Sequence, residues 1–243
     1  MLHEHTDGRN DASSPVERFD TLDLLRRAIL TDHAGRIALV SSFGAESVVL
    51  LDLVARINPA TPVLFNQTGM LFAETLAYQR EVADRLGLSN VRIVRPTLAE
   101  TGRIDPDGRL HEHDPDRCCN LRKVAPLNRA LQPFAAWITG RKRHQSQTRA
   151  ELPLFEKDDE HRVKINPLAD WTAGEIRDYA ERRGMPRHPL IDKGYPSIGC
   201  APCTTPVRAG ESPRAGRWRG HAKQECGIHL VNGRLVRIST GVA

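Results

Sequence analysis

Nothing in this sequence points towards a lipid bilayer. Its 243 residues contain no run of about 18 apolar positions, so no transmembrane helix is expected. Met1 to Ser14 has no apolar stretch of the kind a signal peptide needs. It is rich in His, Asp, Asn and Ser and is expected to be disordered. Internal repeats and low-complexity tracts are also missing. Cysteine is scarce, with five residues in all. Without an export signal the expected compartment is the cytosol, where clustered cysteines read as metal or catalytic sites rather than disulfides.

What is present is ordinary for a soluble globular protein, with 27% charged and 40% hydrophobic residues. The length suffices for one α/β domain with a full core or for two small domains. The net charge of +5, from 35 basic and 30 acidic residues, is unevenly placed. Thr204 to Ala243 holds seven Lys or Arg and two acids, so this stretch alone carries 7 − 2 = +5. A basic tail suits an anionic partner, either a phosphorylated small molecule or a nucleic acid; the plainer reading is a solvated charged surface.

Val16 to Thr31 reads as an amphipathic helix with Phe19, Leu22, Leu25 and Ile29 on one face. Strands are expected at Arg36–Ser41, Pro62–Asn66, Val91–Val94, Ala135–Thr139 and Val163–Ile165. Helices are expected at Ser47–Arg56, at Leu71–Leu86, from about Asn120 to Leu131 with a break at Pro126, and from the Thr172-Ala173-Gly174-Glu175 capping box to about Arg183. Thr101 to Pro115 reads as a surface loop, with His111 and His113 as surface residues. Strands alternating with helices imply a parallel sheet covered on both faces, with ligands at the carboxyl ends of the strands. Residues 16–203 then form the α/β domain, 1–15 a disordered start, and 204–243 an irregular, mobile basic segment.

Several motifs carry chemistry. Ser42-Phe43-Gly44-Ala45-Glu46-Ser47 joins a strand to a helix N-terminus, where backbone N–H groups and the helix dipole favour an anion. It is not a Walker loop, because no Gly-Lys-Ser/Thr follows. Cys200 and Cys203 have Cys-x-x-Cys spacing, whereas Cys118 and Cys119 are adjacent, which is unusual for structural zinc. Spacing alone leaves an iron–sulfur cluster, zinc and unliganded core thiols open. Arg122 and Lys123 follow closely and would offset the negative charge of a thiolate-ligated centre. Cys226 stands apart, between Lys223 and His229, which favour its thiolate, and beside Glu225, which does not. Gly140 to Arg149 is strongly basic and suits phosphate or sulfate oxygens, or simply a charged loop.

Taken together these motifs resemble the sulfonucleotide reductases, specifically the iron–sulfur assimilatory adenylylsulfate (APS) reductases. The resemblance runs from about Arg36 to His229. It rests on Ser42 to Ser47, Cys118-Cys119 with Arg122-Lys123, Thr139-Gly140 with Gln145-Ser146, Gly194 to Cys203, Arg214-Ala215-Gly216-Arg217-Trp218, and Glu225 to His229. It implies a Rossmann-like, doubly wound, mostly parallel sheet of the adenine nucleotide α-hydrolase type with an irregular C-terminal tail. It also implies a 4Fe–4S cluster on Cys118, Cys119, Cys200 and Cys203, and Cys226 as nucleophile. Ser42, Phe43, Gly44 and Ser47 fall on the nucleotide loop, and Lys123, Arg149, Arg214, Arg217 and His229 on phosphosulfate contacts. The implied reaction is thioredoxin-dependent reduction of APS to sulfite and AMP through an S-sulfocysteine. Reduction of the 3′-phosphorylated nucleotide (PAPS) is the near alternative.

Three positions depart from the family pattern. Gln67-Thr68-Gly69 stands where Asp-Thr-Gly is usual, Arg219-Gly220 breaks an aromatic run, and His144 replaces a commonly acidic residue. A tRNA-thiolating enzyme of related fold would need a Ser-Gly-Gly-x-Asp-Ser loop, which the chain does not supply. A zinc-stapled nucleic-acid module would leave Cys226 without a role. Neither a membrane nor a nucleic acid is therefore expected as partner, and a homo-oligomer is compatible with the sequence.

Overall fold

The computed structural model describes residues 19–221 together with Lys223, Glu225 and Gly227. Six strands form one sheet: β1 (Ile37–Ser41), β2 (Val63–Asn66), β3 (Val91–Val94), β4 (Ala136–Ile138), β5 (Phe155–Lys157) and β6 (Val163–Ile165). Their spatial order is β3-β2-β1-β4-β6-β5. All neighbours are parallel except β5, which runs antiparallel to β6 at the edge.

Alternation along each strand explains why both faces are covered. Ile37 and Leu39 of β1, Val63 and Phe65 of β2, and Ala136 and Ile138 of β4 belong to one core cluster. The residues between them, Ala38, Leu64 and Trp137, belong to a second. The larger cluster packs under α1 (Phe19–Arg27), α2 (Ser47–Ile57), α3 (Ala73–Arg85) and α8 (Ala173–Arg182), the smaller under α7 (Ala125–Leu131). The arrangement is the doubly wound α/β class expected from the alternation of elements. At its centre, buried Asp52 of α2 accepts from Tyr179 at 2.7 Å and from Arg183 at 3.1 Å, fixing α8 against α2.

Three segments differ from the sequence-based expectation. Thr101–Pro115 is not a plain loop: α4 (Leu98–Ile104) and α5 (Leu110–His113) form there, with a Thr97–Glu100 capping box starting α4. A short α6 (Pro115–Cys119) precedes the expected helix after Asn120. Asp114 caps it by accepting from the Arg117 N–H, and Pro115 opens it. Between α6 and α7, Asn120–Val124 winds as a π turn, just before Pro126, which has no N–H to continue an α-helical ladder. Finally, β5 was not expected. It is a three-residue edge strand with little apolar content, held by Glu156 facing Lys164 at 3.3 Å. The capping box at Thr172 opens α8 as expected.

A candidate active site at the switch point of the sheet

The strand order reverses direction between β1 and β4, and a crevice opens beyond the carboxyl ends of these strands, as such topologies dictate. It encloses about 310 Å³. The β1 end contributes Ser41 and Ser42, the β2 end Asn66 and Thr68, and the β4 end Thr139 and Gly140. Lys123, Arg149, and the neighbouring pair Arg214 and Arg217 converge on the same cleft from three separate stretches of chain, and Cys200 lines it as well.

The loop before α2 is shaped from inside the core. Phe43 adopts a left-handed backbone (φ 48°), and its N–H donates to Ser41 Oγ at 3.1 Å. Its ring is fully buried, edge-on to Phe65 with centroids 5.2 Å apart. Phe43 was expected among the nucleotide contacts; its side chain instead anchors the loop in the core, while Ser42, Gly44 and Ser47 line the cleft. Ser47 Oγ donates to the Gly44 carbonyl at 2.7 Å, closing the turn at the helix N-terminus. Glu46 faces buried Lys142 at 2.9 Å. Burial pushes the Glu46 carboxyl up, but Lys142 and its hydrogen bonds outweigh this and hold it below the usual range.

Most of the basic run from Gly140 to Arg149 is used internally. Arg141 pairs with Glu156, Lys142 with Glu46, and Arg143 with Asp170. Arg149 lines the cleft too, and there it holds Glu225 through Nε at 2.8 Å and Nη2 at 2.7 Å. Gln67, the departure from Asp, accepts from the Gly69 N–H at 2.6 Å, so a neutral acceptor performs the turn-forming task.

Two thiol pairs meet beside this cleft. Ala201 N–H donates to the Met70 carbonyl at 2.7 Å, and Cys200 pairs with Leu71 as an isolated bridge, which ties the Cys-x-x-Cys turn to the segment after β2. On its other side Trp218 N–H donates to the Cys203 carbonyl at 3.0 Å. Cys118, Cys119 and Cys200 are buried and Cys203 is partly so; none of the four is in a disulfide. Burial pushes the Cys118 thiol up to about 12, and Cys119, Cys200 and Cys203 push in the same direction against Arg122. Burial and Cys200 likewise raise Cys203, against the pull of Lys123, Arg217 and Lys223. The four thiols thus feel one another. Arg122 itself is held by Asp105, through Nε at 3.1 Å, and by the Thr68 carbonyl at 3.1 Å. Among the described residues, no three His, Cys, Asp or Glu side chains are arranged to hold a metal ion.

Arg36 to Pro206 matches the phosphoadenosine phosphosulfate reductase domain. The chain belongs to the phosphoadenosine phosphosulfate reductase family. Relatives in this family include the adenosine 5′-phosphosulfate reductase of Mesorhizobium japonicum, 49% identical over 209 residues, covering 86% of this chain and 82% of that one. A protein of Gloeobacter violaceus named phosphoadenosine 5′-phosphosulfate reductase is 44% identical, covering 85% and 89%. Among solved structures, a phosphoadenylyl-sulfate reductase of Candida auris in a phosphate complex superposes with a TM-score of 0.66 at 28% identity, covering 77% of this chain and 91% of that one. The FMN adenylyltransferase of Candida glabrata shares the fold at 16% identity, TM-score 0.54, covering 79% and 67%.

Within this family member, Cys226 and His229, expected as nucleophile and anion contact, lie outside the described residues. The sequence reading overlooked Asn66. It is 5% exposed and lines the cleft, and among the described residues neither atom of its amide has a hydrogen-bond partner. A polar residue ending an otherwise apolar strand, Val63-Leu64-Phe65-Asn66, was the available signal. No helix of the described residues is long and apolar enough to cross a membrane.

Proposed function

We propose that this protein reduces adenylylsulfate to sulfite and AMP in sulfate assimilation, with a dithiol protein of the thioredoxin type as electron donor. The observation that carries the reading is the convergence of Lys123, Arg149, Arg214 and Arg217 on a nucleotide-sized cleft at the switch point of the sheet. The substrate has an adenosine and two adjacent anionic groups, a phosphate and a sulfate. Guanidinium forks suit both anions. The unpartnered Asn66 amide offers one donor and one acceptor, the pair that matches an adenine edge.

The chemistry runs in two balanced steps. The Cys226 thiolate attacks the sulfate sulfur of APS; the S–O bond to the phosphate breaks, AMP leaves with that electron pair, and Cys226 becomes an S-sulfocysteine. A thiolate of the donor then attacks Cys226 Sγ and expels sulfite, forming a mixed disulfide. The donor's second thiol resolves it, so the dithiol is oxidised to a disulfide as sulfur(VI) becomes sulfur(IV). Bringing a thiolate to a dianionic group is the difficult part. The cleft's cations position the two anions and screen their charge, which lowers that barrier.

Cys118, Cys119, Cys200 and Cys203 would hold a 4Fe–4S cluster. The donor set suits such a group: four thiols outside any disulfide lie near one another, and burial raises the Cys118 and Cys203 thiols, a cost that a bound cationic centre would offset. When bound, the cluster would present a net negative group, which Lys123 and Arg217 would offset, since both act on Cys203 and both line the cleft. A reduced cytoplasm is the compartment that keeps such thiols available.

The deciding experiment supplies APS without a dithiol donor to anaerobically purified protein. One SO₃ unit should appear on the peptide bearing Cys226, with AMP released in equal amount. A Cys226→Ser protein should bind AMP and form no sulfite. An adduct on another cysteine, or sulfite from the serine variant, would overturn the mechanism. PAPS in parallel sets the preference between the two nucleotides.

A further inference from the structure

Glu225 sits where a substrate anion would. Its Oε1 accepts from Arg149 Nε at 2.8 Å and from the Ser146 hydroxyl at 3.1 Å, with Thr148 Oγ1 at 3.4 Å. Its Oε2 accepts from Arg149 Nη2 at 2.7 Å and faces Arg214 Nη2 at 3.5 Å. The carboxylate therefore receives a bidentate guanidinium fork, a second guanidinium and two hydroxyls, inside the cleft and only 17% exposed. This is the coordination expected around a sulfate or phosphate oxygen pair. Burial pushes the Glu225 carboxyl up, but Arg149, Arg214 and Ser146 outweigh it and hold the group below its usual range, so it is ionised at neutral pH.

We propose that Glu225 is a built-in competing anion, which neutralises Arg149 and Arg214 until the anionic group of the nucleotide displaces it. The inference rests on the reading of the cleft as a phosphosulfate site, and it assigns Glu225 a role in setting substrate affinity. The Glu225 carboxylate cannot share this guanidinium pair with a second anion without strong repulsion, so occupancy is exclusive. If Glu225 fills the cradle for about nine-tenths of the time, the apparent dissociation constant for the nucleotide rises about tenfold. Glu225 directly precedes Cys226 in the sequence. Displacing it therefore couples arrival of the anion to a change at the residue next to the nucleophile.

The test compares wild type with Glu225→Gln, using AMP as probe in calorimetric titration and inorganic sulfate in thermal-shift measurements. Glu225→Gln should bind AMP about tenfold more tightly and should gain more thermal protection from sulfate than wild type. Glu225→Ala, which also removes the hydrogen-bonding amide, should show at least the same gain. Unchanged or weakened AMP binding in both variants would overturn the proposal, since a carboxylate that merely positions the arginines would weaken binding when lost. Wild-type turnover of APS is measured alongside. Failure to release AMP from APS removes the functional reading itself, whereas normal turnover with no affinity gain removes only the role of Glu225.

Discussion

Arg217 Nη1 donates to the carbonyl of Ile198 at 3.2 Å, and this bond lays the guanidinium alongside Gly199, one residue before Cys200. A methyl group on Gly199 would collide with Arg217 Nη2 and Cζ and come within 3.0 Å of Nε. The glycine is thus demanded by a close approach and not by a special backbone angle. Arg217 also stacks over Trp218, with 4.4 Å from Cζ to the ring centroid. Its Nε is buried without a hydrogen-bond partner among the described residues.

Gly199→Ala should therefore displace Arg217 while leaving the sheet intact. We expect kcat/KM for APS to fall about ten- to a hundredfold, with a small change in thermal midpoint. Steady-state kinetics beside a melting curve separates the two. Wild-type kinetics in the variant would show that Arg217 does not contact the substrate.

Asn66→Leu should remove the pairing of the amide with the base and little else, because leucine fills a similar volume. KM for APS should rise about tenfold or more, with kcat changed less. Binding of AMP against IMP provides the sharper check, since IMP alters the edge the amide would read. Wild type should prefer AMP, and the variant should lose much of that preference. An unchanged ratio would place the base elsewhere.

His188 makes a prediction about stability. Leu190 N–H donates to its Nδ1 at 3.2 Å, so Nε2 carries the proton and faces Thr75 Oγ1 at 3.1 Å. Both nitrogens are used in the neutral form, and burial, outweighing the attraction of Glu74, brings the pKa from 6.5 down to about 4. A depressed folded value means that the unfolded chain binds the extra proton first. The stabilisation is complete above about pH 6.5 and is lost as pH falls towards 4, on the order of 3 kcal/mol. Urea midpoints of the wild type should decline across that window, and those of His188→Asn should decline less steeply. Parallel declines would assign the acid sensitivity to other groups.

The fold was legible because its strands alternate. Ile37-Ala38-Leu39 and Val63-Leu64-Phe65 announce a sheet covered on both faces, and the Thr172–Glu175 capping box announces α8. Strand β5 was not, since an edge strand with two exposed residues needs no apolar run. In the site, cations could be named from sequence, but their partners could not. Arg141, Lys142 and Arg149 look alike in the chain; only the contacts separate the first two, turned to Glu156 and Glu46, from Arg149 on Glu225. The Phe43 side chain was hidden from the sequence for a related reason. A loop motif gives the position of a residue but not which way its side chain points, and a left-handed backbone turned this ring inward.

The Cys200 thiol lies 3.3 Å from Thr68 Oγ1, across 132 residues of sequence. That separation has a consequence for how the chain is made. Synthesis proceeds from the N-terminus, so Cys118 and Cys119 emerge long before Cys200 and Cys203. The last strand of the described residues ends at Ile165, before the second thiol pair exists. The sheet can therefore assemble while only Cys118 and Cys119 have been made, and under the proposed four-thiol site that first pair must stay reduced until the chain has grown past Cys203. Oxidising conditions during that interval threaten the nascent protein more than the finished one.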